Sequence, residues 1–316
     1  MQSSTVRDRL MLAAAALLFS TGGAAIKAAS FSAWQVASFR SGVAAIFLFC
    51  ALPEARKGWS WRMAPAAAAY AATLLLFVLA NRSTTAANAI FLQNTAPLYV
   101  LLLGPWLLDE PVRRTDLFYI LAVAAGMSMF FLGAQSAAVT APSPARGNLI
   151  ALASGLTWAL TITGLRWLGR GGQVTAAMAT VTAGNLIGFL AALPQAFPVT
   201  SVTGRNLAVI LYLGVVQIGL AYVLVVRAIR HVPAFEATVV LMLEPAMNPI
   251  WAWLVEGEKP APGSLTGGAV TPWQRSPTPG GKRGHGDQYN RDICRSGTPI
   301  CISNSPANAR SQCSTC

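Results

Sequence analysis

A carboxylate, an amide and an indole recur at one-turn spacing in a stretch that is otherwise apolar. Glu244, Asn248 and Trp251 fall at i, i+4 and i+7, so on a helix they share a face. An ionisable side chain within an apolar run is costly, which makes it a candidate for function. Glu244 could accept a proton or pair with a cationic group on a bound molecule. Equally, it could be a structural carboxyl, because Pro245 beside it frees a backbone carbonyl that needs a partner. Ser154, Trp158 and Thr161 repeat the same spacing, and Trp158 could stack on a planar or cationic ligand or simply pack. Ser20 aligns with Gly23 and Lys27, and Lys27 has the reach to snorkel to an interface. Gln93, Asn94, Gln217 and Tyr222 complete the candidate ligand-contacting set. Arg40 lies a third of the way into its stretch, where it either snorkels or meets a carboxylate. Glu110 and Glu258 stand close to prolines and read as helix-end signals, and Cys50 as a small packed hydrophobe.

The elements that must position these residues follow from composition. The chain has 316 residues, of which 54% are hydrophobic and 11% charged, with mean hydropathy +0.51. A soluble domain carries about 25% charged residues, so this chain lacks the material for a water-facing surface. It reads as an all-α polytopic membrane protein, since the bilayer admits only helices or closed barrels and no alternating barrel pattern is present. Nine stretches approach the roughly 20 residues a spanning helix needs. They are 10–29, 34–52, 64–80, 86–108, 115–133, 147–168, 175–193, 207–226 and 237–255. The first could also be a signal peptide with Ala28-Ala29-Ser30 as its cleavage site, but its length and the eight stretches after it favour a retained helix.

Loop charges set an orientation. Lys27, Arg82, Arg146, Arg205 and Lys259 fall on one side, against eleven Lys and Arg on the other, which predicts a cytoplasmic N-terminus. The net charge of +12 is accounted for by this bias, so nucleic acid is not an expected partner. No phosphate-binding G-x-x-x-x-G-K-[ST] loop, G-x-S-x-G elbow or H-E-x-x-H pair occurs. The reading is therefore not an enzyme: no catalytic residue, cofactor or metal site is expected, and any energy must come from an ion or substrate gradient.

The two halves of the apolar body echo each other. Pro97 is followed thirteen residues later by Glu110-Pro111, and Pro245 by Glu258 at the same distance, a shift of 148 residues. Phe19 and Lys27 are matched by Trp158 and Arg166 at a shift of 139. Five spans per half would insert the second copy upside down, and inverted repeats of this kind mark secondary transporters with a midplane site.

The pattern Asn94-Thr95-Ala96-Pro97 leading to Asp109-Glu110-Pro111, Glu244-Pro245 leading to Gly257-Glu258, and Phe39-Arg40 opening the second span resembles the EamA-type transporters of the drug/metabolite transporter superfamily. The resemblance covers about residues 9 to 265. It implies a ten-helix inner-membrane carrier, commonly an exporter of amino acids, other metabolites or amphipathic organics, often with protons as coupling ion. The lipid bilayer and a small-molecule substrate are the implied partners; oligomeric state is open.

The layout expected is a first repeat over 9–133, an outside linker over 134–146, a second repeat over 147–270 and a polar, basic tail over 271–316. A tenth span begins at Pro262 and stops after Val270. The tail holds four of the five Cys, so zinc, disulfides and an out-of-frame replacement of the tenth helix compete, and the last is favoured. The alternative function is a truncated, inactive relative or a membrane scaffold that needs a partner helix.

Overall fold

A computed structural model describes residues 2–110, 141–169, 174–199 and 202–256, together with 116, 118 and 121. The described residues fall within one unit spanning 1–273 and are helical almost throughout. The expected fifth span, the linker, the stub of the tenth and the tail lie wholly or mainly outside them.

Twelve α-helices position the site: α1 Gln2–Ser20, α2 Gly22–Ala28, α3 Ala33–Ala51, α4 Ala64–Ser83, α5 Ala86–Gln93 and α6 Ala96–Leu108 come first. They are followed by α7 Pro144–Gly169, α8 Val174–Ala196, α9 Gly204–Leu211, α10 Ala221–Ile229, α11 Ala234–Leu241 and α12 Leu243–Glu256. A π-helical segment, Tyr212–Leu220, joins α9 to α10. Local chemistry sets several starts. The Ser32 hydroxyl accepts the Gln35 amide N–H while the Gln35 side chain accepts the Ser32 N–H, a reciprocal cap that opens α3. Thr85 and Thr203 cap α5 and α9 in the simpler one-way form.

Seven helical stretches among the described residues are long and apolar enough to cross a membrane, from Val6–Ala28 to Gly204–Ile229. Of the nine expected, the fifth lies mainly outside the described residues. The region expected as the ninth span is present as α11 and α12, eight and fourteen residues long, meeting at Met242. The fourth span is divided in the same way, into α5 and α6. Proline explains both breaks. Pro97 has no N–H for the carbonyl of Gln93, and Pro245 has none for that of Leu241; α5 and α11 end at those two residues.

The internal repeat is written into the helix boundaries. Moving α5 by 148 residues gives 234–241, the bounds of α11. Helix packing repeats with the halves exchanged: α4 packs on α7 as α10 packs on α1, α4 on α8 as the π-segment on α3, and α3 on α8 across the centre. The copies also run in opposite directions. The Glu110 carboxylate, at the far end of the α5–α6 span, accepts the backbone N–H of Ala234 at the start of α11 at 3.1 Å. The corresponding starts, Ala86 and Ala234, therefore lie at opposite ends of the bundle.

Apolar side chains divide between two surroundings. Ile46, Leu102, Trp106, Leu149 and Leu190 stand exposed on the outside, the arrangement expected where lipid is the solvent. Cys50 is exposed as well, in line with Ile46 and Phe49, and does not pack as expected from sequence. The interior is knit by small residues. A Cβ on Gly214 of the π-segment would come within 2.6 Å of Val43, so only glycine lets this segment lie so close to α3.

Candidate functional site

The two halves meet around a small central cavity of about 40 Å3. One wall is aromatic. Phe19 from α1 meets Trp158 from α7 edge to face, with ring centroids 6.2 Å apart, and Tyr222 from α10 closes the group at 5.1 Å from Phe19 and 6.0 Å from Trp158. Tyr70 backs Tyr222 at 4.6 Å and accepts a hydrogen bond from the Asn185 amide at 2.8 Å, so the wall is anchored behind as well as in front.

The other walls are polar. Arg40 is 1% exposed, and its guanidinium faces the cavity; Nη2 donates to the Leu74 carbonyl at 3.0 Å, while Nε has no partner. Burial within the bundle excludes the snorkelling reading. Glu244, in the first turn of α12, presents its carboxyl to the same cavity. Arg40 and Glu244 are not an ion pair, and no hydrogen bond holds the Glu244 carboxyl among the described residues. A buried charge left without a partner in its own protein is costly, which favours an arrangement completed by a guest.

Amides fill the space between them. Gln93 lies at the end of α5 and donates to the Ser154 hydroxyl at 2.8 Å, whereas the Gln217 carbonyl oxygen is buried without a partner. Both line the cavity. The helix break before Pro97 leaves Gln93 as the last residue of α5.

Of the residues singled out in the sequence, Glu244, Trp158, Gln93, Gln217 and Tyr222 lie in the cavity wall. Four stand behind it, because each satisfies or adjoins a helix backbone. Thr161 donates to the Thr157 carbonyl at 2.8 Å, and Asn94 donates to the Ile90 carbonyl at 2.9 Å. Ser20 donates to Leu17 and accepts from the Trp251 indole at 3.0 Å, and Asn248 is fully buried beside Gly23. Phe19, Arg40, Thr73 and Phe77 line the cavity without having been in the candidate set. A signal for Arg40 was available: a guanidinium well inside an apolar run. Phe77 carried none.

One end of the bundle is tied by ion pairs between elements. Arg166 at the end of α7 meets Glu110 at 3.0 Å, and its Nη1 donates to the Ile229 carbonyl at 2.9 Å and to that of Arg230. Arg9 pairs with Glu236, joining α1 to α11, and a carboxylate oxygen of Asp8 lies 3.0 Å from Nδ1 of His231 in the turn before it. Glu110 is thus a junction as well as a helix-end signal.

The repeat also appears in comparison with known proteins: the model of the EamA-like transporter family matches residues 9–132 and again 145–271. The chain belongs to the EamA-like transporter family. It is accordingly a multi-pass membrane protein of a family of transporters, not of enzymes. No curated protein matches the sequence. A solved structure described only as "Crystal structure of protein" superposes with a TM-score of 0.61 at 17% identity, over 86% of this chain and 97% of that one, and shares the fold.

Proposed function

We propose that this EamA-like protein is a secondary carrier that moves a small organic solute across the inner membrane by alternating access. The observation that carries the reading is the shared cavity, in which Arg40 and Glu244 stand on the walls without pairing to each other. A solute with an anionic and a cationic group would complete both, and its apolar body would lie against Phe19, Trp158 and Tyr222. Amino acids and related zwitterions have that chemistry. At about 40 Å3 the cavity is well below small-molecule sites of roughly 300–1,000 Å3, so a solute enters only as its walls move apart.

The same architecture supports movement. Substrate groups come from both halves of an inverted pair, so rocking one half against the other exposes the cavity to one side at a time. The Arg166–Glu110 and Arg9–Glu236 bridges close one end and would have to part for the cavity to open there. With the cytoplasmic N-terminus that the loop charges favour, this is the cytoplasmic end. Export is the proposed direction, with protons exchanged at Glu244 as the coupling ion. Within this reading, the five-helix repeats and a partial tenth span keep the boundaries given above.

The test is flux in proteoliposomes with the twenty radiolabelled amino acids. Saturable uptake that responds to a pH gradient and is lost in Arg40→Gln supports the carrier. Flux by the wild-type protein that Arg40→Gln leaves unchanged contradicts the assigned site.

A further inference from the structure

Two asparagines behind the cavity are harder to explain than anything in it. Asn81 on α4 and Asn248 on α12 are both 0% exposed, and none of their four side-chain amide atoms has a hydrogen-bond partner. Burying one such amide unpaired costs about 1–3 kcal/mol, and two side by side need a reason. They flank the same point. A Cβ on Gly23 would stand 2.6 Å from the Asn248 oxygen and 3.2 Å from the Asn81 nitrogen, so the two amides close over a glycine that has no side chain to cover them. Water both donates and accepts, and so matches amides that lack partners of both kinds.

The pair also lies on a line. Asn248 is one turn from Glu244 on α12, and the unpartnered Gln217 oxygen belongs to a side chain that crowds the neighbouring Gly22. On the other side, Asn81 is followed three residues later by Thr84, which donates to Asn148 at 2.9 Å at the bundle end holding Arg82 and Arg146. Polar groups thus run from the cavity carboxyl towards the end opposite the Arg166–Glu110 bridge.

We infer that Asn81 and Asn248 hold a hydrated path that carries protons between Glu244 and the membrane surface at the Lys27 end; this rests on the carrier reading above. A hydronium at that surface passes a proton along the waters, each water giving up one proton as it gains another, and the Glu244 carboxylate takes the last. Glu244 faces Arg40 and Tyr222 across the cavity. Of the elements packed on α12, α1 carries Arg7, Asp8 and Arg9 at its far end, α2 carries Lys27, α5 carries no ionisable side chain and α11 carries Glu236.

The experiment compares the full-length wild type with Asn81→Leu and Asn81→Ser in proteoliposomes holding a pH-sensitive dye. Exchange of labelled for unlabelled amino acid without a gradient reads the carrier alone, and dye response to added amino acid reads proton movement. Asn81→Leu is expected to keep exchange within about twofold and to slow proton movement at least tenfold, with Asn81→Ser restoring it. Proton movement unchanged in Asn81→Leu overturns the path, as does equal loss of exchange and proton movement or failure of Ser to restore. Wild-type exchange without any proton movement overturns the path and leaves the carrier standing. No wild-type exchange overturns both.

Discussion

Phe19 and Trp158 hold corresponding places in the two halves of the chain, and they meet each other edge to face at 6.2 Å in the middle of the bundle. Residues related by a two-fold axis touch only where they lie beside it, so this pair marks the axis. The cavity opens next to the contact, where each half contributes a wall. Removing one ring should cost packing at the centre. Trp158→Ala is expected to lower stability by about 3–5 kcal/mol, and a double-mutant cycle with Phe19→Ala should show a coupling of about 0.5–1.5 kcal/mol. Thermal unfolding in detergent checks both; additive losses would mean that the rings do not interact.

Arg40 has one backbone bond, to Leu74, and a free Nε, so much of its hydrogen-bonding capacity is left for a guest. Arg40→Gln is expected to weaken binding of a zwitterion by about 2–4 kcal/mol, or some 30- to 1,000-fold, because a buried charge on the solute then goes unmatched. The methyl ester, which lacks the carboxylate, should bind wild type and variant alike. Isothermal titration gives both numbers.

Glu244→Gln keeps the shape of the side chain and removes its proton exchange. Flux by the wild type should follow a pH gradient, whereas the variant, which also loses the match to the solute's cationic group, should exchange solute more weakly and with no response to the gradient. A variant that still responds would assign coupling to another group.

The Arg166–Glu110 bridge is partly buried, with side chains 15% and 20% exposed, and is expected to hold its end closed by about 1 kcal/mol. Glu110→Gln should therefore increase labelling of a cysteine placed in the cavity by a reagent added from that side, by roughly fivefold. Exchanging the charges, Glu110→Arg with Arg166→Glu, should restore much of the protection. Equal labelling in all three proteins would show that the bridge does not control access.

Much of the architecture was legible because membrane burial leaves coarse marks. Apolar length marks the helices, and the prolines at 97 and 245 mark both their breaks and the repeat. Glu244 and Trp158 were legible as polar and aromatic groups at one-turn spacing. Face alone could not separate wall from backing, however. Thr161 shares a stripe with Trp158 yet turns its hydroxyl back to the Thr157 carbonyl, a local option that serine and threonine always have in a helix. Arg40 was visible as an anomaly, but its two possible fates differ only in tertiary packing. The junction role of Glu110 depends on Ala234, 124 residues away, and no local pattern reports such a contact.

The central claim is that one cavity, shared by both halves, binds a solute between Arg40 and Glu244. Counterflow in proteoliposomes tests it most directly: vesicles loaded with unlabelled amino acids are diluted into trace labelled ones, with no gradient imposed. The account predicts transient accumulation of label by the wild type, at least tenfold less by Arg40→Gln, and weaker accumulation by Glu244→Gln that no longer changes with pH. No accumulation of any amino acid by the wild type, or equal accumulation by wild type and Arg40→Gln, would contradict it.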